Sequence, residues 1–163
     1  MFPTGHHMSW VFPKKQIKPG SADLAGGLIP DYFLAGANSG GVDWFILELK
    51  GADKRAFITS GKRVSLSADA NNGVCQLLNY IQWSSHDQAY LRDSLKLTNF
   101  REPKGVLLIG SDDETENSPQ VRDFKGTWNN MVPSLQIRSY SAVLREVKKK
   151  RKGFTGDPWP PRR

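Results

Sequence analysis

Between Leu28 and Gly51 short apolar runs alternate with polar turns. Tyr32 to Ala35 and Trp44 to Leu49 are aromatic and aliphatic stretches of strand type, and the turn-rich linker Gly36 to Gly41 between them predicts a β-hairpin. Alternation puts Trp44, Ile46, Glu48 and Lys50 on one face of the second strand, with Phe45, Leu47 and Leu49 on the other. A strand that is apolar on both faces is covered on both sides. Glu48 and Lys50 at its end, and Asp31 at the start of its partner, then lie at the rim of a core, where an uncompensated charge is costly.

The same reading extends along the chain. Trp10-Val11-Phe12 and Gln16-Ile17 predict a first strand edged by Pro13, followed by a Gly/Ser/Ala loop from Lys18 to Gly27. After a polar connection from Gly51 to Arg55, Ala56 to Thr59 predicts a short strand, and Ser60-Gly61-Lys62-Arg63 a basic turn. A helix is expected from Ser67 or Asp69, both good N-caps, with Val74, Leu77, Leu78 and Ile81 as its buried stripe. Gln76 and Tyr80 fall together on another flank of that helix, which continues, with a break at Ser84-Ser85, to about Leu97. "GVLLIG" from Gly105 to Gly110 predicts a buried strand, and Ser111 to Gln120 a solvated acidic loop. Val121 to Met131 predicts a helix, Leu135 to Tyr140 a last strand, and Ser141 the cap of a helix running into the lysines. The expected organisation is one domain over 1–152 and a Pro-rich basic tail over 153–163.

Composition narrows the classes of function. A net charge of +7 favours polyanionic partners. Part of that charge is the run Lys148 to Lys152, which also reads as a solvated tail. No apolar run approaches the roughly 18–20 residues of a membrane span, so no membrane partner is expected. The single Cys75 cannot form an internal disulfide, which fits a reducing cytoplasm. No glycine loop of the P-loop type is present, so nucleotide hydrolysis is not expected.

In the order strand, strand, strand, helix, strand, helix, strand, helix, three elements carry candidate chemistry: Pro30-Asp31, then Glu48-Leu49-Lys50, then Gln76-Leu77-Leu78-Asn79-Tyr80. Their order resembles the PD-(D/E)xK nuclease superfamily, with the Q-x-x-x-Y helix of its RecB-like branch. More narrowly, "IPDYFLAG", "WFILELKG", "QLLNYIQW" and "PKGVLLIGSDD" are similar to the nuclease domain of Shedu-type anti-phage defence proteins, over roughly residues 10 to 140. The resemblance implies an α/β restriction-endonuclease-like core, a mixed β-sheet flanked by helices, that hydrolyses nucleic acid, DNA above all. Phosphodiester hydrolysis draws on a metal that polarises the phosphate and acidifies a water, and Mg²⁺ takes hard oxygen donors with one or two carboxylates. Asp31 and Glu48 supply two carboxylates for Mg²⁺ or Mn²⁺, near enough to share an ion if the hairpin register allows. The resemblance adds the backbone carbonyl of Leu49 as a further ligand. Lys50 would assist the nucleophile, and Gln76 and Tyr80 would position the reacting groups. Lys54, Arg55, Lys62 and Arg63, with Lys148, Lys149 and Lys150, are the expected phosphate contacts.

Two other readings stand beside this one: a nucleic-acid-binding module of the same fold that does not cut, and a scaffold in which the hairpin charges merely pair. The superfamily core usually opens with a helix before the first strand, for which the nine residues before Trp10 leave little room. That helix is missing, belongs to a longer chain, or comes from another subunit of a homo-oligomer. His6 and His7 read as a surface pair, although some RecB-like nucleases use an upstream histidine as a metal ligand.

Overall fold

Strands β1 (Met8–Pro13), β2 (Tyr32–Asn38), β3 (Gly41–Leu49), β6 (Lys104–Leu108) and β7 (Leu135–Arg138) form one sheet in the order β1-β2-β3-β6-β7. The first two pairings are antiparallel and the last two parallel, so the sheet is mixed. A separate two-stranded hairpin, β4 (Phe57–Ser60) and β5 (Arg63–Leu66), follows β3. The helices are α1 (Ala68–His86), α2 (Gln88–Asp93), α3 (Asp113–Glu116), α4 (Pro119–Met131) and α5 (Tyr140–Gly153). This is a computed structural model, and it describes residues 8–17 and 28–153. His6, His7, the loop at 18–27, the tail at 154–163 and the side chains of Lys149 and Lys150 lie outside the described residues.

The hairpin is tighter than its glycines suggested. β2 runs on through Gly36 to Asn38, and only Ser39 and Gly40 turn the chain, with the Asn38 side chain bonded to Asp43 at 2.7 Å and to the Gly40 amide at 2.7 Å. Both faces of β3 are buried, as alternation requires. Trp44 and Ile46 join the main core with Phe33, Leu77, Leu107 and Phe100, while Phe45 packs with Leu34 and Val106 on the opposite face. Edge-on and tilted aromatic contacts, Phe33–Phe100 at 5.9 Å and Trp44–Phe100 at 5.2 Å, fix the loop after α2 beneath the hairpin.

Helix α1 is capped by the Ser67 hydroxyl, which accepts the Ala70 amide at 3.0 Å. Its buried face differs from the expected stripe: Val74 and Leu77 are inside, but Leu78 is 52% exposed and Tyr80 is buried. Tyr80 therefore does not share an outer flank with the exposed Gln76. The i, i+3, i+4 rule admits either set, and the sheet against which α1 packs decides in favour of Tyr80. The helical break falls at Asp87 rather than at Ser84-Ser85. Arg63 belongs to β5, which pairs with β4 around a two-residue turn at Gly61-Lys62.

The expected acidic loop is also corrected. Its residues form α3 and the first turn of α4, and Asp112 is buried rather than solvated. Glu114 accepts the amides of Ala56 and Phe57 at 2.8 and 3.0 Å, satisfying donors at the start of β4. The last strand stops at Arg138, and Ser139 rather than Ser141 caps α5, its hydroxyl accepting the Ala142 amide at 3.2 Å.

Candidate active site

The β2–β3 register answers the condition set by the hairpin. Tyr32 faces Leu47, and continuing the ladder by one pair sets Asp31 against Glu48. The Asp31 carboxylate does not wander from that place: its Oδ2 accepts the Leu49 amide at 2.8 Å, tying the start of β2 to the end of β3. Two carboxylates are thereby held on adjacent strands at one end of the sheet, where β3 and β6 terminate side by side.

Lys50 is drawn into the same place. Its Nζ donates to Glu48 Oε1 at 2.9 Å and to Gln76 Oε1 at 2.6 Å, so the side chain bridges the sheet and α1. Gly73 makes that bridge possible. A Cβ at this position would lie 2.6 Å from Leu107 Cδ1 and 3.3 Å from Lys50 Cε, so the helix can approach the strand and its lysine only through a glycine. At the other end of Lys50, its carbonyl accepts the Tyr140 hydroxyl at 2.8 Å, and its amide donates to the Leu108 carbonyl at 2.9 Å.

The electrostatics follow from burial. Glu48 is 5% exposed, and its pKa is raised from 4.5 chiefly by desolvation. The Lys50 ammonium opposes that rise through its hydrogen bond and its charge, while the neighbouring Asp31 charge adds to it. Tyr80, whose hydroxyl donates to the Ile29 carbonyl at 3.3 Å, is pushed up to about 12 by burial, then by the charges of Glu48 and Asp31. Its phenol stays protonated and serves as a neutral wall and a tie to the chain just before Asp31. Tyr140 is raised by burial and then by the Asp31 charge, which places a second phenol within the field of that carboxylate.

The donor set suits a hard divalent cation. Among the described residues it offers two opposed carboxylates, one of them short of compensation. Among the described residues no group of three or more His, Cys, Asp or Glu side chains gathers, so two carboxylates are what these side chains provide. That is within the usual complement for Mg²⁺, which keeps several waters.

The sequence of this chain matches, over residues 6–144, the family model described as Shedu protein SduA, C-terminal. The chain belongs to that family. Among curated proteins none matches it. Within this SduA C-terminal domain, hydrogen bonds link Asp31 to Leu49 and Lys50 to Glu48 and Gln76, and Tyr80 feels the charges of Glu48 and Asp31.

The expected phosphate contacts are more scattered. Lys54 and Arg55 line a cavity of about 600 Å³ with Ser111, Asp113 and Ser118, in the connection that leaves β3. Lys54 also reaches Asp69 at 3.8 Å. Lys62 sits in the β4–β5 turn, whose carbonyl accepts Gln120 Nε2 at 2.6 Å, and Arg63 opens β5 beside it. Lys148 is exposed on α5. No helix among the described residues is long and apolar enough to cross a membrane.

Sequence reasoning missed Gly73 and Tyr140. A glycine inside a helical pattern is a signal of close approach, and it was available at Gly73. Tyr140 carried no such mark, since its role depends on where β7 delivers the start of α5.

Proposed function

We propose that this domain is a metal-dependent nuclease that hydrolyses phosphodiester bonds in nucleic acid, with DNA as substrate and Mg²⁺ or Mn²⁺ as cofactor. The mixed sheet, with its carboxylates at one end and α1 packed beside them, is read as a restriction-endonuclease-like core. Family membership supports a part in anti-phage defence. The observation that carries the proposal is the opposition of Asp31 and Glu48 in the hairpin register, with Lys50 held between Glu48 and Gln76.

In this reading Asp31, Glu48 and the Leu49 carbonyl would hold the cation, and a bound cation would supply the charge that polarises a phosphate and acidifies a water. Lys50 then has two tasks. Before the cation binds, it offsets the buried Glu48 charge. With substrate in place, its ammonium orients the attacking water or stabilises charge growing on the phosphate, while Gln76 holds the ammonium on the α1 side. Tyr80 keeps the strand entry rigid behind Asp31.

The test is cleavage of labelled plasmid, linear and single-stranded DNA with Mg²⁺ or Mn²⁺, with and without chelator. Metal-dependent cleavage lost on chelation and in Glu48→Ala supports the reading. DNA binding with no cleavage under any of these metals makes the domain a non-cleaving binding module instead.

A further inference from the structure

We propose that Lys14 is a phosphate-holding residue of this site, gripping the nucleic-acid backbone on the β1 side of the carboxylate pair. The proposal rests on the nuclease reading and extends it to a residue at the end of the edge strand. Pro13 pairs with Tyr32, so continuing the β1–β2 ladder by one sets Lys14 beside Asp31. The Lys14 amide donates to the Asp31 carbonyl at 3.0 Å, which fixes it to the strand that bears the carboxylate. Lys14, Asp31 and Glu48 are thus successive positions across one sheet end. With neighbouring strands about 4.8 Å apart, the Lys14 backbone lies roughly 10 Å from that of Glu48.

The backbone of Lys14 is the second observation. Its φ is 43°, in the left-handed region where a Cβ is strained and glycine is not. Such strain persists only where the surrounding structure holds it, and it clusters at functional sites; here the bond to Asp31 holds it. Lys14 is exposed, so its ammonium is open to an incoming polyanion. Asp31 and Glu48 repel phosphates, and a strand crossing them needs cations on either side. Lys54 and Arg55 follow β3 on one side; Lys14 follows β1 on the other. The three would form a track across the sheet end, with the carboxylates at its middle.

The experiment compares the parental chain with Lys14→Gly and Lys14→Asn. Binding to a short fluorescein-labelled DNA duplex is followed by anisotropy across a salt series without divalent metal, alongside thermal melting. Lys14→Gly relieves the strained backbone, so it should raise the melting temperature, by about 1–4 °C. The same variant should weaken binding by about three- to tenfold and flatten the slope of log affinity on log salt by about 0.7–0.9. Asn tolerates left-handed backbone as well, and Lys14→Asn should weaken binding equally. Unchanged affinity and slope in both variants, beside intact metal-dependent cleavage, would overturn the role of Lys14 and leave the nuclease reading standing. A parental chain that binds the duplex but cuts nothing overturns the nuclease reading, with Lys14 still judged by the slopes. A parental chain that binds no duplex overturns the proposal for Lys14 outright.

Discussion

Two buried carboxylates, Glu48 near the end of β3 and Asp112 just before α3 in the segment that leaves the neighbouring β6, are treated in opposite ways. Glu48 is 5% exposed and Asp112 6%. Each has a cationic partner, Lys50 for Glu48 and Arg145 for Asp112. Desolvation is the largest influence on both, yet Glu48 is raised and Asp112 lowered. The difference lies in their company. Asp112 accepts the Ser139 hydroxyl and the Arg145 guanidinium and feels Lys125 as well, which together outweigh its burial. Glu48 has one ammonium against burial and a like charge at Asp31. A carboxylate satisfied by its own chain is a strut, here fastening α5 to the end of β6. One left short, beside a second carboxylate, is suited to a cation from outside.

The largest expected effect separates the two by exchanging rate for stability. Glu48→Ala should reduce cleavage by at least a thousandfold, equivalent to about 4 kcal/mol of barrier, and leave DNA affinity nearly intact. Asp112→Ala should do the reverse, destabilising the fold by about 2–4 kcal/mol in urea denaturation with the rate per folded molecule preserved. Cleavage that survives in Glu48→Ala, or a stable Asp112→Ala, would collapse the distinction.

Neighbours on α1 sharpen it next. Gln76→Ala should slow cleavage by roughly ten- to a thousandfold with unchanged melting, since it loses only the hold on Lys50. Leu77→Ala, fully buried one residue on, should destabilise by about 2–5 kcal/mol. The opposite ranking in paired melting and rate measurements would mean that the helix presents another face.

A smaller effect is expected at Gly73. Gly73→Ala should displace Lys50 or Leu107, costing about 1–3 kcal/mol by overpacking and lowering the cleavage rate. An alanine variant with parental rate and melting would show that α1 can withdraw from the strand without consequence.

The smallest effect is in pH, and its sign differs between the two carboxylates. The folded pKa of Glu48 lies above 4.5, so the native state binds that proton more tightly than the unfolded chain does. Metal-free stability therefore falls as pH rises through the window above 4.5, and the loss persists at neutral pH. Glu48→Gln should melt higher than the parent at neutral pH without metal, the gap closing as pH is lowered towards 4.5. Asp112 has a folded pKa below 3.8, so its contribution is present above 3.8 and lost as pH falls through the folded value. A Glu48→Gln gap that does not vary with pH would show that the ionised Glu48 carries no penalty.

The hairpin, the helix bearing Gln76 and the buried strand at Val106 to Leu108 were all legible from alternation and turn chemistry, while the placing of Asp31 against Glu48 waited on the register. What was not legible depended on contacts between segments distant in the chain. Leu78 and Tyr80 lie on opposite sides of α1, and only the position of the sheet decides which side is buried. Asp112 looked solvated because its partners, Ser139 and Arg145, arrive from β7 and α5. The β5 strand was hidden because Arg63 to Leu66 is short and half charged or polar, and it is held by pairing rather than by propensity.

The central claim, that Asp31 and Glu48 form a divalent cation site, is tested most directly by calorimetric titration of Mn²⁺ into the metal-free domain and into Glu48→Ala. The account predicts binding in the parent, accompanied by a rise in melting temperature, and loss of that binding in the variant. Equal heats and equal melting shifts in both proteins would contradict it.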